Sequence, residues 1–344
     1  MLVVRYIGQQ GGIEIKEEEI SSLGDGDVLV KVMAVGICST DGKIILGKRN
    51  IRAGIVLGHE ISGEIVEIKG ARKDFKVGDR VSIFPGIACK ECYYCRINYQ
   101  NICTDKISFG LQIDGGFQQY MKVPAYAVEN GNMFKLAYEL SYEEGTFLEP
   151  ISCCIESINL VGVKEGDRIL VVGAGVMGLL HLIMLRDIAS KIIVSDLMKY
   201  RRELALELGA DSVIDPMSED LKEIMLGETD GIGVDKCFMC ADVPQMVELL
   251  CQVVRRRGVI NLFASSIKDE KSLIDPNILH YKEVILSGSH SSTLEQFYDS
   301  IEVVNKGKER IVKLITHLLS IQETRQAIDL YLRHEAIKVI IKPN

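Results

Sequence analysis

Arg168-Ile169-Leu170-Val171-Val172-Gly173-Ala174-Gly175-Val176-Met177-Gly178 is the stretch that decides the fold class. An apolar run ends in G-x-G-x-x-G, and the apolar run Leu179-Leu180-His181-Leu182-Ile183-Met184-Leu185 follows. Strand, glycine turn, helix is the context that gives this spacing meaning. Gly173 makes the turn, Gly175 lets the backbone approach a pyrophosphate, and Gly178 packs helix on strand. The helix N-terminus favours the phosphate charge. The span from 169 to 185 approaches the ~20 apolar residues of a membrane helix. Its three glycines, His181 and the following Arg186-Asp187 fit a buried strand, turn and helix better.

Asp196 closes the next strand-like run, 18 residues after Gly178. Its carboxylate would accept from ribose hydroxyls and repel a 2′-phosphate, which favours NAD over NADP. Arg201 and Arg202 would soften that exclusion. The plainer reading of Asp196 is a cap on the following helix. We assign Gly173, Gly175, Val176, Met177, Gly178, Asp196 and Arg201 to cofactor binding.

Outward from this loop, strand-like runs at 168–172, 191–195, 212–214, 234–238, 259–263 and 284–287 alternate with helical patterns. Alternation of this kind predicts βαβ units and a doubly wound parallel sheet. Residues 1 to 150 read differently. Short β-like runs at 28–35, 61–68, 80–84 and 118–123 are separated by turns such as Gly24-Asp25-Gly26-Asp27, which predicts a β-rich domain of partly closed barrel type. A helix over 293–305 and a strand over 336–341 close the chain, and we expect them to return to the first domain.

The chain has 344 residues, 47% of them hydrophobic, and a formal charge of -8. Two domains with sizeable cores fit that length. The acidic balance argues against nucleic acid and anionic membrane as partners. Met1-Leu2-Val3-Val4-Arg5 lacks a signal-peptide pattern. We therefore expect a soluble cytoplasmic protein whose ten cysteines are metal ligands or core residues rather than disulfides.

Cys89-x2-Cys92-x2-Cys95-x7-Cys103 is the most specific metal signal. Four thiolates so close in sequence can fill all positions of one tetrahedral zinc. A closed site has no place for substrate, so this lobe, about 86–106, is structural. Lys90, Arg96 and Lys106 would offset part of its negative charge.

A second set is open. Cys38 follows the run at 28–35, and His59 and Glu60 follow Ile55-Val56-Leu57-Gly58. Thiolate, imidazole and carboxylate suit zinc, and three protein ligands plus water describe a catalytic site. Glu149, before Pro150, is a further carboxylate. Asp41 is placed to accept an imidazole N–H from His59.

Taken together, these residues resemble the zinc-dependent medium-chain dehydrogenase/reductase family of alcohol and polyol dehydrogenases. The matching pieces are Gly36-Ile37-Cys38, Gly58-His59-Glu60-x2-Gly63, Gly78-Asp79-Arg80-Val81, the four-cysteine lobe, Gly115-Gly116-Phe117, Glu149-Pro150 and the glycine loop. The resemblance implies an α/β chain in two domains. One is a GroES-like β-rich catalytic domain (1–152 and 290–344). The other is a Rossmann dinucleotide-binding domain (153–289), with the active site in the cleft. It implies two zinc ions per chain, NAD, and a homodimer or homotetramer.

Glu149-Pro150 is similar to the sorbitol and threonine dehydrogenase branch. That likeness implies zinc on Cys38, His59 and Glu60 with a water held or replaced by Glu149, or else Glu149 as direct ligand with Glu60 behind it; both stay open. Ser39, Lys43 and Lys69 depart from the family pattern. Lys43 stands where many members carry a histidine, which weakens the threonine reading. Gly70, one place after Lys69, suggests a shifted turn.

The expected reaction is oxidation of a secondary alcohol, a polyol or sugar alcohol, with hydride passing to the nicotinamide. Thr40 is the expected proton relay and Glu149 the candidate base. Lys43, Lys48, Arg49 and Arg52 suit a phosphorylated substrate as well as they suit a solvated basic face. Two alternatives are oxidation of an amino alcohol such as L-threonine, and a non-catalytic dinucleotide-binding protein. The combination of Cys38, His59 and Glu60 argues against the second.

Overall fold

The computed structural model describes residues 1–266 and 271–344. The chain divides into two compact units, Met1–Ser152 with Ser291–Asn344, and Cys153–His290.

In the first unit a seven-stranded sheet runs Ile315–Ser320, Lys338–Lys342, Val28–Gly36, Glu60–Ile68, Arg80–Ile83, Met133–Lys135, with Tyr120–Val123 also paired to Val28–Gly36. Val28–Gly36 is apolar at every position but Lys31, carries four valines and is buried on both faces, as befits a central strand. Leu2–Tyr6 and Ile13–Glu17 form a separate antiparallel ribbon. Valines and isoleucines from these strands pack with Phe109, Phe117 and Ile328 in one core. The closing residues do return here: Ile340 pairs with Gly36 and Ile341 with Val35.

The second unit is a parallel six-stranded sheet in the order Ser212–Ile214, Lys191–Ser195, Arg168–Val172, Val234–Met239, Val254–Leu262, Ile285–Gly288. The first strand in sequence after the glycine loop's own lies beside it on one side, and the chain crosses to the other side at Val234. That reversal is the doubly wound topology.

Several elements differ from expectation. The strand expected from 259 begins at Val254, because the basic run Arg255-Arg256-Arg257 finds an anion across the sheet: Asp235 receives both Arg255 (2.5 Å) and Arg168 (3.4 Å). The helix over 293–305 continues to Val312. It starts at a capping box, in which the Thr293 hydroxyl accepts from Gln296 N–H. It is anchored by Phe297, whose ring sits 4.8 Å from Phe134 and 5.3 Å from Phe84. Glu149-Pro150 lies in the first turn of a helix, Leu148–Val161, where proline lacks only an N–H that would have had no partner. Among the described residues, no helix is long and apolar enough to cross a membrane.

Candidate active site

Three strand ends meet in the first unit. Val28–Gly36 finishes two residues before Cys38, Glu60–Ile68 starts at Glu60 paired with Gly36, and Lys338–Lys342 lies on the other side of Gly36. Cys38 then opens a short helix, Ser39–Ile45. Gly58 has φ +85°, a left-handed conformation that any Cβ would strain. Its amide donates to Asp41 Oδ1 at 3.3 Å and its carbonyl accepts from Gly116 at 2.7 Å. That turn delivers His59 beside Cys38.

One ligand atom each from Cys38, His59 and Glu60 lies within 4.8 Å of the others. Glu149, partly exposed, is outside this set, but its charge acts on both His59 and Glu60. Burial alone would pull the His59 imidazolium down. The charge of Cys38, a hydrogen bond donated by the ring to the Cys38 sulfur, Asp41 and Glu149 outweigh that and hold the His59 pKa well above the ordinary histidine value. Burial pushes the Glu60 carboxyl up against the opposing pull of Lys338. This is a pocket that calls for a cation. His59 Nδ1 is buried with no hydrogen-bond partner, an uncommon state for a buried nitrogen. Soft, borderline and hard donors around an anionic pocket fit zinc.

Asp41, fully buried, faces His59 Nδ1 at 3.9 Å, beyond hydrogen-bonding range. Its oxygens instead take the amides of Cys38 (2.9 Å) and Gly58 (3.3 Å). Asp41 therefore ties together the backbones that carry two candidate ligands. Thr40 sits in the first helical turn after Cys38, partly buried, while Ser39 is exposed. The turn near Lys69 has its positive φ at Gly70.

Sequence reasoning missed Lys338. It is fully buried and its ammonium contacts Glu60 Oε2. The available signal was a single lysine inside Ala336-Ile337-Lys338-Val339-Ile340-Ile341.

Cys89, Cys92, Cys95 and Cys103 form the other convergent set. Sulfur separations are 3.4 Å for Cys103–Cys89 and 3.9 Å for Cys89–Cys95 and Cys92–Cys103. Backbone N–H groups of Cys95 and Thr104 pull the Cys92 thiol down to about 6. Lys90 and Lys106 donate to the carbonyls of Asn130 and Asn101.

In the second unit, Gly173 has φ +96° and its amide donates to Ser195 O at 2.7 Å. A methyl on Gly178 would collide with the Gly173 carbonyl, so helix and strand touch through bare backbone. Gly175 caps the helix Val176–Leu185, which also contains Met177, without a side-chain bond to its first amides. Asp196 accepts from Ala174 N (2.7 Å) and Met198 N (2.8 Å). It therefore anchors the loop and the turn before the next helix, Lys199–Glu207, whose N-cap is Met198 and which has no side-chain cap, so Asp196 is not its cap. The Arg201 guanidinium lies 3.9 Å from where a Gly175 Cβ would stand and bonds Tyr200 OH at 2.9 Å. Arg202 is committed to Asp215 and to the Asp196 and Leu197 carbonyls.

Comparison with known proteins agrees with this geometry. Residues 24–130 match the alcohol dehydrogenase GroES-like domain and residues 175–306 the zinc-binding dehydrogenase domain. The chain belongs to the zinc-dependent medium-chain dehydrogenase family, and it is an oxidoreductase of the alcohol dehydrogenase type. It is 33% identical to L-threonine 3-dehydrogenase of Pyrococcus horikoshii, over 89% of this chain and 88% of that one. It is 32% identical to D-arabitol-phosphate dehydrogenase of Enterococcus avium, over 93% and 91%. A zinc-binding dehydrogenase from Sinorhizobium meliloti, solved bound to NADP, superposes with a TM-score of 0.92 at 30% identity, covering 99% of both chains.

Proposed function

We propose that Cys38, His59 and one of the carboxylates Glu60 and Glu149 hold a catalytic zinc, that Cys89, Cys92, Cys95 and Cys103 hold a structural one, and that the enzyme oxidises a secondary alcohol with NAD. The observation that carries this reading is the convergence of Cys38, His59 and Glu60, one ligand atom from each within 4.8 Å of the others. Bound zinc would supply Lewis acidity to an alcohol oxygen, and bound nicotinamide would accept the hydride.

The chain's own residues supply the rest. The Thr40 hydroxyl, in the first turn of the helix that Cys38 opens, relays the alcohol proton outward, and the Glu149 carboxylate receives it. The main-chain amides at Gly175, Val176 and Met177 face the pyrophosphate, with Gly173 and Gly178 shaping the loop. Asp196 has both oxygens already oriented by backbone donors, which leaves its outer lone pairs for ribose hydroxyls. Arg201 is a nearby cation for the adenosine side. The substrate is a polyol or sugar alcohol, phosphorylated members included; the arabitol-phosphate relative and the basic residues Lys43, Lys48, Arg49 and Arg52 support this. The threonine relative supports a second reading, oxidation of L-threonine.

A panel of sorbitol, arabitol, arabitol phosphate and L-threonine, each with NAD and NADP, distinguishes these by the absorbance of reduced cofactor. Turnover of a polyol or its phosphate above threonine is the expected result. Turnover of threonine alone overturns the substrate class, and no turnover by zinc-replete protein overturns the activity. We further propose a cytoplasmic homodimer or homotetramer. Ile285–Gly288 is the outer strand of its sheet and Ile285 is 56% exposed, which supports edge pairing. Light scattering that finds only monomer would refute this.

A further inference from the structure

His59 is delivered by a segment, 54–58, that belongs to no strand. On one side lies Leu2–Tyr6, with Tyr6 N donating to Ile55 O at 2.8 Å. On the other lies 114–117, with Gly115 N donating to Val56 O (2.7 Å) and Phe117 N to Leu57 O (3.0 Å). The pairing with Leu2–Tyr6 is an isolated bridge, Arg5 facing Val56, rather than a ladder. Register is ordinarily fixed by the side chains that a slip would move from core to solvent. Here Ile55, Val56 and Leu57 are all buried. A slip of one place would exchange like for like in the core and still carry His59 away from Cys38.

A charged group supplies the register that the apolar run lacks. Arg5 Nε and Nη2 fork onto Glu18 at 2.6 Å each. Arg5 Nη1 donates to Gly54 O (2.5 Å) and to both Asp114 oxygens (3.2 Å). Asp114 Oδ1 also accepts from Val56 N at 3.0 Å. One guanidinium and one carboxylate therefore join all three segments, and they grip 54–58 by main-chain atoms of two particular residues. The Arg5 hydrogen bonds hold the Glu18 carboxyl down to about 2, so the group stays ionised at neutral and mildly acidic pH.

We propose that Arg5 and Asp114 are positioning residues, a register lock on the segment that presents His59 to its metal. This rests on the assignment of Cys38 and His59 to an open metal site. Lysine could not replace Arg5, because a point charge lacks the fork that reaches Glu18, Gly54 and Asp114 at once.

The test uses full-length protein with cobalt exchanged into the open site and zinc kept at the four cysteines, one of each per chain by elemental analysis. Arg5→Met, Arg5→Lys and Asp114→Ala should each speed chelator-driven cobalt loss by about tenfold, the smaller end of what outer-shell partners change, while zinc at the cysteines leaves at the wild-type rate. Arg72→Met, which breaks an arginine–aspartate pair elsewhere in the same unit, should leave both rates unchanged. Hydrogen exchange at the Val56 and Phe117 amides should quicken in Arg5→Met. Quicker exchange with unchanged cobalt loss would make Arg5 a local brace and overturn the proposal. Equal acceleration at both metal sites, or in Arg72→Met, would also overturn it, since that is general loosening. Should Arg5→Met not fold, Arg5→Lys and Asp114→Ala decide by the same rates. Wild-type protein that takes up metal at the four cysteines alone refutes the open site first, and the role of Arg5 with it.

Discussion

Gly58 and Gly54 offer a controlled pair of substitutions. Both have left-handed backbones, φ +85° and +92°, so alanine at either costs roughly 1–2 kcal/mol in conformation alone. At Gly54 nothing lies within 4 Å of the added methyl. At Gly58 the methyl meets Phe117 Cδ1 at 2.8 Å, Phe117 Cε1 at 2.9 Å and Val35 Cγ2 at 2.9 Å. Phe117 and Val35 are fully buried in the core, so neither can swing away, and overpacking adds roughly 1–3 kcal/mol. Gly54→Ala should lower the Tm by about 2–8 °C, and Gly58→Ala by a further 2–12 °C or so, at ~2–4 °C per kcal/mol for a domain of this size. The turn at Gly58 also presents His59, so Gly58→Ala should lose catalytic-site zinc while Gly54→Ala keeps it. Thermal denaturation and elemental analysis of both variants read the two effects. Equal losses of Tm, or full zinc retention in Gly58→Ala, would refute the claim that close packing behind this turn sets the position of His59.

Asp196→Ala removes the acceptor for Ala174 N and Met198 N. It should lower the NAD-to-NADP ratio of kcat/KM and cost roughly 1–3 kcal/mol for the stranded amides; unchanged cofactor kinetics would leave Asp196 as a loop anchor only. His181 is fully buried, and burial pushes its pKa down to about 4. The ring is neutral, donating from Nδ1 to Met177 O (2.8 Å) and accepting at Nε2 from Ser157 Oγ (2.6 Å). The unfolded chain takes up a proton near 6.5 that the folded chain refuses, so stability is full above pH 6.5 and falls by about 3 kcal/mol as pH drops to 4. Denaturant titrations across that window should show the slope in wild type and a flatter one in His181→Gln; parallel slopes would refute it.

Much of this was legible in the sequence because the deciding signals are local. The glycine loop is read within eleven residues, and the four cysteines within fifteen, because turns and chelation constrain neighbours along the chain. Cys38 and His59 are each flagged by an adjoining apolar run: Cys38 follows the strand Val28–Gly36, and His59 comes after Ile55-Val56-Leu57 and one residue before the strand Glu60–Ile68. Lys338 could not be joined to Glu60 in the same way. Their contact is decided by which strand the closing segment pairs with, and an apolar strand holding one lysine reads equally as an edge with an exposed charge. The same limit hid the start of the strand at Val254, where three arginines look like a loop until Asp235 is placed opposite. Asp41 was placed correctly as a neighbour of His59, but its oxygens are taken by main-chain amides, a competition that residue types do not reveal.

The central claim is that two metal sites of different kind are carried on separate sets of ligands. Zinc per chain in Cys38→Ser, measured by elemental analysis alongside NAD binding, tests it most directly. We expect two zinc ions in wild type and one in Cys38→Ser, with NAD affinity preserved and turnover abolished. Two zinc ions and normal turnover in Cys38→Ser would contradict it.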